Sequence, residues 1–103
     1  MSADTQGVAR VAMTTVEPGR IESGTLFWLQ SIIPAMKQAA GFRHIYVLGD
    51  HKTNRVMTIS IWDTEADAVA WDNSEIQKSL RGGLSSHVSD LPVPEMFQIK
   101  LEA

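Results

Sequence analysis

The side chains able to do chemistry in this sequence are few. His44 and Tyr46 stand two residues apart on an extended stretch, so an imidazole base and a phenolic donor share one face. Trp62 and Trp71 are flat apolar rings of the kind that wall a ligand pocket, and Arg81 is a permanent cation. Each also has a plain structural reading. His44 and Tyr46 fit a subunit interface, the tryptophans fit core packing, and Arg81 suits the negative end of a helix.

Metal and thiol chemistry find little support. The three histidines, His44, His51 and His87, show no metal-ligand spacing, and the chain has no cysteine. No metal or other cofactor is expected.

With 103 residues the chain fits one domain, residues 1–103, with Met1–Gly7 as a polar, flexible start. Hydrophobic residues make up 44% and charged residues 20%, a balance that can build a core. The nine Lys and Arg residues are scattered under a net charge of −3, so a nucleic acid is not an expected partner. No apolar run approaches the roughly 18–20 residues of a membrane helix. The expected location is therefore cytoplasmic, away from membranes.

The elements that must position these residues follow from spacing. Val8–Val16 is rich in β-branched and small residues and reads as a strand, closed by Pro18-Gly19. From Arg20 to Ala40, Ile21, Thr25, Trp28, Ile32 and Met36 recur at helical intervals, with Leu29 and Ile33 widening the stripe. Pro34 predicts a kink or break near Ile33, and Gly41 a positive φ after the helix. Residues 42–49 and 55–62 read as a hairpin around the polar turn Asp50–Asn54.

Thr64 with Asp67 predicts a capped second helix carrying Ala66, Val69 and Ala70 on its apolar side. Ser74 with Gln77 predicts a bend and a fresh helix through Leu80, ended by Gly82-Gly83. Leu84–Pro94 reads as loop, and Glu95–Leu101 as the last strand. The order βαββαβ is that of a ferredoxin-like α+β fold with a four-stranded antiparallel sheet.

Strand parity divides the sheet into two faces. One collects Val11, Met13, Ile45, Val47, Met57, Ile59, Ile61, Phe97, Ile99 and Leu101, and is expected to be buried. The other collects Arg10, Ala12, Thr14, His44, Tyr46, Leu48, Thr58, Ser60, Trp62, Gln98 and Lys100. Helices cover one face only, and Tyr46, Leu48 and Trp62 are poor choices for a wet surface. A homodimer is the simplest cover; a half-wet open sheet is the alternative.

Four short stretches occur in a telling order: Glu17-Pro18-Gly19, Gly41-Phe42, Ile61-Trp62-Asp63 and Trp71-x-x-Ser74. Over roughly residues 8–101 the chain resembles the antibiotic-biosynthesis-monooxygenase-like (ABM) superfamily of dimeric α+β barrels. The resemblance implies a homodimer with a pocket between sheet and helices in each subunit. Some members oxidise polycyclic aromatic phenols to quinones without metal or flavin, and others degrade haem.

The haem-degrading branch uses an Asn on the first strand, a Trp on the second helix and a His about three turns later. Trp71 matches, but Val8–Val16 contains no Asn, and Arg81 falls where the His belongs, with His87 the nearest later histidine. Phenol oxidation needs aromatic walls, a base and a cation, for which Trp62, Trp71, Tyr46, His44 and Arg81 are the candidates. The expectation is a cofactor-independent monooxygenase for a small aromatic or quinol-type compound. The alternative is a non-catalytic dimeric ligand-binding or accessory domain.

Overall fold

The computed structural model describes residues 7–84 and 93–103. Strand β1 (Val8–Thr15) leads into α1 (Ile21–Phe27), which continues through a π-helical turn (Trp28–Ile32) into α2 (Ile33–Met36). Then come β2 (Phe42–Asp50), β3 (Arg55–Trp62), α3 (Glu65–Asp72), α4 (Glu75–Leu84) and β4 (Glu95–Gln98). The sheet order is β2-β3-β1-β4 with every neighbouring pair antiparallel, the ferredoxin-like α+β arrangement. Pairing continues briefly beyond the short β4, where the Ile99 N–H donates to the Gly7 carbonyl at 3.1 Å.

Pro34 does not break the first helix. The Ile33 N–H reaches back five residues to the Trp28 carbonyl, and this wider turn relieves the clash a proline ring brings to an α turn. Trp28, Ile32 and Met36 consequently line up four apart and are all buried. Leu29, placed by spacing on the same stripe, is exposed.

The joints between elements follow local chemistry. Gly41 has φ +82°, and its carbonyl accepts the Asp63 N–H at 2.8 Å. The Thr64 hydroxyl accepts the Asp67 N–H, and the Ser74 hydroxyl accepts the Gln77 N–H, each at 3.1 Å. These caps separate α3 from α4. The latter runs on to Leu84, past Gly82-Gly83, because glycine in a helix costs only about 1 kcal/mol relative to alanine. In the β2–β3 turn, Asp50 accepts the Lys52 N–H at 2.9 Å, which holds its carboxyl below the ordinary value. The loop expected at Leu84–Pro94 lies mostly outside the described residues, as does the N-terminal start expected to be flexible.

The two faces of the sheet are assigned differently from the parity reading. The helices cover Val8, Arg10, Ala12, Val56, Thr58, Ser60 and Trp62, all buried. Register adds Ile45 opposite Ser60 and Val47 opposite Thr58 to this inner face. The outer face carries Val11, Met13, His44, Tyr46, Leu48, Met57, Ile59, Ile61 and Phe97.

Two causes explain the exchange. A bulge between Phe42 and His44 inserts one residue and reverses the parity of β2 beyond it. In addition, Ala12, Thr58 and Ser60 are small, which leaves room for the bulky core of Trp28, Ile32, Met36, Trp62 and Trp71. The polar letters Thr58 and Ser60 of β3 are inner residues whose small volume suits that core.

The apolar side of α3 is likewise corrected. Ala68 and Trp71 are its buried residues, while Ala66, Val69 and Ala70 face out. One indole removes far more surface from water than the three smaller side chains, so Trp71 decides how this short helix rolls.

Candidate functional site

The inner layer contains an aromatic wall joined to a polar cluster. Trp62 is completely buried at the end of β3, and Trp71 on α3 stacks on it with ring centroids 6.1 Å apart and planes at 30°. Phe42 meets Trp62 edge-on, with centroids at 5.5 Å and planes at 77°. The Trp62 indole N–H donates to the Ser60 hydroxyl at 3.0 Å. Ser60 in turn donates to the Arg10 carbonyl at 3.5 Å and sits opposite Arg10 in register.

Arg10 closes the circuit. Its guanidinium binds Asp72 Oδ1 through Nε and Nη2, both at 2.7 Å, and Asp72 follows Trp71 in sequence. The Arg10 side chain is 3% exposed and that of Asp72 is 21% exposed, so water screens the pair weakly. A buried arginine requires such a partner, and α3 supplies it from the residue beside the stacked indole.

One group in this layer is left unsatisfied. Thr58 Oγ1 is buried and has no hydrogen-bond partner among the described residues. Its ladder neighbours on the inner face, Ala12 and Val47, carry no polar side-chain atom. A buried hydroxyl without a partner costs about 1–3 kcal/mol.

The sequence candidates divide between the two faces. Trp62 and Trp71 are brought together, and Trp71 also borders a pocket of about 240 Å³ with Ala35, Ala39, Asp67, Ala70 and Ile76. His44 and Tyr46 are exposed on the outer face opposite Ile61 and Ile59, on the far side of the sheet from the tryptophans. Arg81 belongs to α4, but its side chain lies outside the described residues. His87 also lies outside them.

Sequence reasoning did not single out Arg10, Asp72 or Thr58. A charged residue alternating with Val8 and Ala12 along a strand was the available signal, since an arginine turned inward at such a place needs a buried acid. Among the described residues no cluster of His, Asp and Glu is arranged to hold a metal ion. No helix there is long and apolar enough to cross a membrane.

This architecture has solved counterparts. ActVA-Orf6, a monooxygenase of Streptomyces coelicolor solved with the ligand nanaomycin D, superposes with a TM-score of 0.83 at 16% identity, over 96% of this chain and 92% of that one. A candidate antibiotic biosynthesis monooxygenase from Bordetella bronchiseptica gives 0.81 at 18% identity, over 93% and 99% of the two chains. The chain has the ABM-like fold. A Nitrosomonas europaea protein of unknown function superposes with a TM-score of 0.77 at 18% identity, over 97% and 95% of the two chains. No family model matches the sequence, and no curated protein does. At such identities the likeness to these ABM-like structures concerns the fold.

Proposed function

We propose that this protein is a homodimeric, cofactor-independent monooxygenase acting on a small aromatic or quinol-type compound. The observation that carries this reading is the buried Trp62–Trp71 stack, joined through Ser60 to the Arg10–Asp72 pair. A planar substrate needs an apolar wall for its ring and polar groups for its oxygen, and the inner layer offers both. The nanaomycin D bound to ActVA-Orf6 is a ligand of that protein, and it lends the reading support through a shared fold.

The reaction would convert a phenol to a quinone. One atom of dioxygen enters the ring, the other leaves as water, and the phenol supplies all four electrons. Proton removal from the phenol precedes electron transfer, so a base is required near the ring.

The dimer rests on the outer face. Tyr46, Leu48, Met13 and Phe97 are each at least 37% exposed there, beside the half-buried Val11, Met57, Ile59 and Ile61. A contiguous apolar sheet face of this kind is what a second copy would cover.

The placement of His44 and Tyr46 favours a second reading, a non-catalytic ligand-binding domain of the same fold. Among the described residues, the two carboxylates adjacent in sequence to the stacked rings are both engaged, Asp72 with Arg10 and Asp63 with Arg43. Oxygen uptake separates the two readings. Consumption of dioxygen with quinone formation from a panel of naphthols and hydroquinones, above a no-protein control, is expected for the enzyme. Tight binding of the same compounds with no uptake supports the binding domain.

A further inference from the structure

We infer that the groove between α2 and α3 binds a small apolar cation, an alkyl or arylalkyl ammonium whose charged group sits at Asp67. The site stands apart from the phenol reading above, because its lining comes from the helices and their connections and not from the sheet.

The groove, of about 240 Å³, follows one side of α3. Asp67, Ala70, Trp71 and Ser74 line it at the i, i+3, i+4 and i+7 spacing of a single helical face. From Asp67 to Ser74 is two turns, about 10 Å. The opposite wall, Ala35, Gln38 and Ala39, repeats the i, i+3, i+4 spacing. Alanines on both walls are too short to fill the gap between the two segments, and that shortfall is the cavity. Trp71 shows only a small part of its indole, and Ile76 of α4 completes the apolar lining.

Unused polar capacity lies at one end. The Ser74 hydroxyl is spent, since it donates to the Trp71 carbonyl at 2.8 Å and accepts the Gln77 N–H. The half-buried Asp67 carboxylate, by contrast, makes no hydrogen bond or ion pair among the described residues. An acid in the first turn suits the helix dipole, which accounts for the residue type. Capping does not occupy its oxygens, because the Thr64 hydroxyl already takes the Asp67 N–H. The carboxylate instead lies against the bare backbone of Gly41, where a Cβ would strike it, and Ala40 lines the groove next to that point.

Charge decides the ligand class. Among the described residues lining the groove, Asp67 is the one that carries a charge. A carboxylate at the end of an apolar trough attracts a cation with an apolar body and repels an anion. The two-turn length suits a phenylethyl group running from Asp67 towards Ser74.

Titration calorimetry with phenethylammonium, phenethyl alcohol and phenylpropionate, which are similar in size and differ in charge, tests the assignment. The wild-type protein is expected to hold the ammonium about fivefold tighter than the alcohol, with the propionate weakest. Asp67→Asn keeps the shape and should bring the ammonium down to the affinity of the alcohol. Ala70→Leu, at an exposed position on the groove wall, should weaken all three compounds about tenfold by filling the trough. Thermal unfolding of each variant shows whether it is folded.

Equal wild-type affinities for ammonium and alcohol, or a preference that survives Asp67→Asn, would overturn the cation assignment. Unchanged binding by a folded Ala70→Leu protein would overturn the groove as its place. Absence of ammonium binding at millimolar concentration would overturn the site altogether. Oxygen uptake with naphthols is a separate readout, so failure of the monooxygenase reading and failure of this site are told apart.

Discussion

Asp72 accepts from both Nε and Nη2 of Arg10 on a single oxygen, so β1 and α3 are tied by one carboxylate atom. Removing one partner of a buried pair strands the other charge, at about 3–5 kcal/mol. Asp72→Ala is therefore expected to lower stability by about that amount in urea unfolding. Arg10→Met combined with Asp72→Leu should recover most of the loss, and a double variant no more stable than Asp72→Ala would show that the pair is not what links the layers.

Trp71 is 4% exposed and stacks on Trp62. Trp71→Ala should cost about 3–5 kcal/mol of stability, with Trp71→Phe retaining much of it. Where aromatic ligands bind, the alanine variant should also weaken affinity, by about 0.5–1.5 kcal/mol for lost stacking alone. Measuring thermal unfolding and affinity on the same samples separates the two effects; unchanged affinity in a folded Trp71→Ala protein would remove this ring from the site.

Gly41 is confined twice. Its φ of +82° suits glycine, and a Cβ there would strike the Asp67 carboxylate and lie 2.7 Å from Asp67 Cβ. Gly41→Ala should cost more than the about 1–2 kcal/mol of the left-handed backbone alone. Adding Asp67→Gly to Gly41→Ala should return part of that excess, read as a rise in the denaturation midpoint.

The outer face predicts the assembly. Sedimentation at micromolar concentration should give about twice the monomer mass. Ile59→Lys, at a half-buried position in the middle of that face, should yield a folded monomer with unchanged circular dichroism. A wild-type monomer would remove the dimer from the proposed function and leave the fold untouched.

Much of the fold was legible because it depends on local signals. The capping serine and threonine at Ser74 and Thr64, the left-handed Gly41 and the first three strands are short-range chemistry and lie where spacing places them, whereas the last strand stops at Gln98 and not Leu101. The site was less legible because it depends on which face turns inward. Arg10 reads as a surface residue until Asp72, distant in sequence, is seen against it. Tyr46 and His44 read as neighbours of Trp62 until the register sets them on the other side of the sheet. Pattern gives alternation along a strand, whereas volume and long-range pairing choose the sign of that alternation.

The bulge at Phe42–His44 gives the start of β2 one residue more than its ladder with β3 needs. Deleting Arg43, with Phe42 kept against Trp62 and His44 against Ile61, would close the ladder into regular alternation and leave Tyr46 and Leu48 outside. An added residue taken into the ladder between His44 and Ile45 would instead turn Tyr46 and Leu48 under the helices and Ile45 and Val47 outward. A change of length within residues 51–54 would only adjust a connecting turn. Insertions and deletions in this fold are thus unequal in kind, and β2 tolerates the loss of its spare residue better than the gain of another, which would exchange the surface offered to a second subunit.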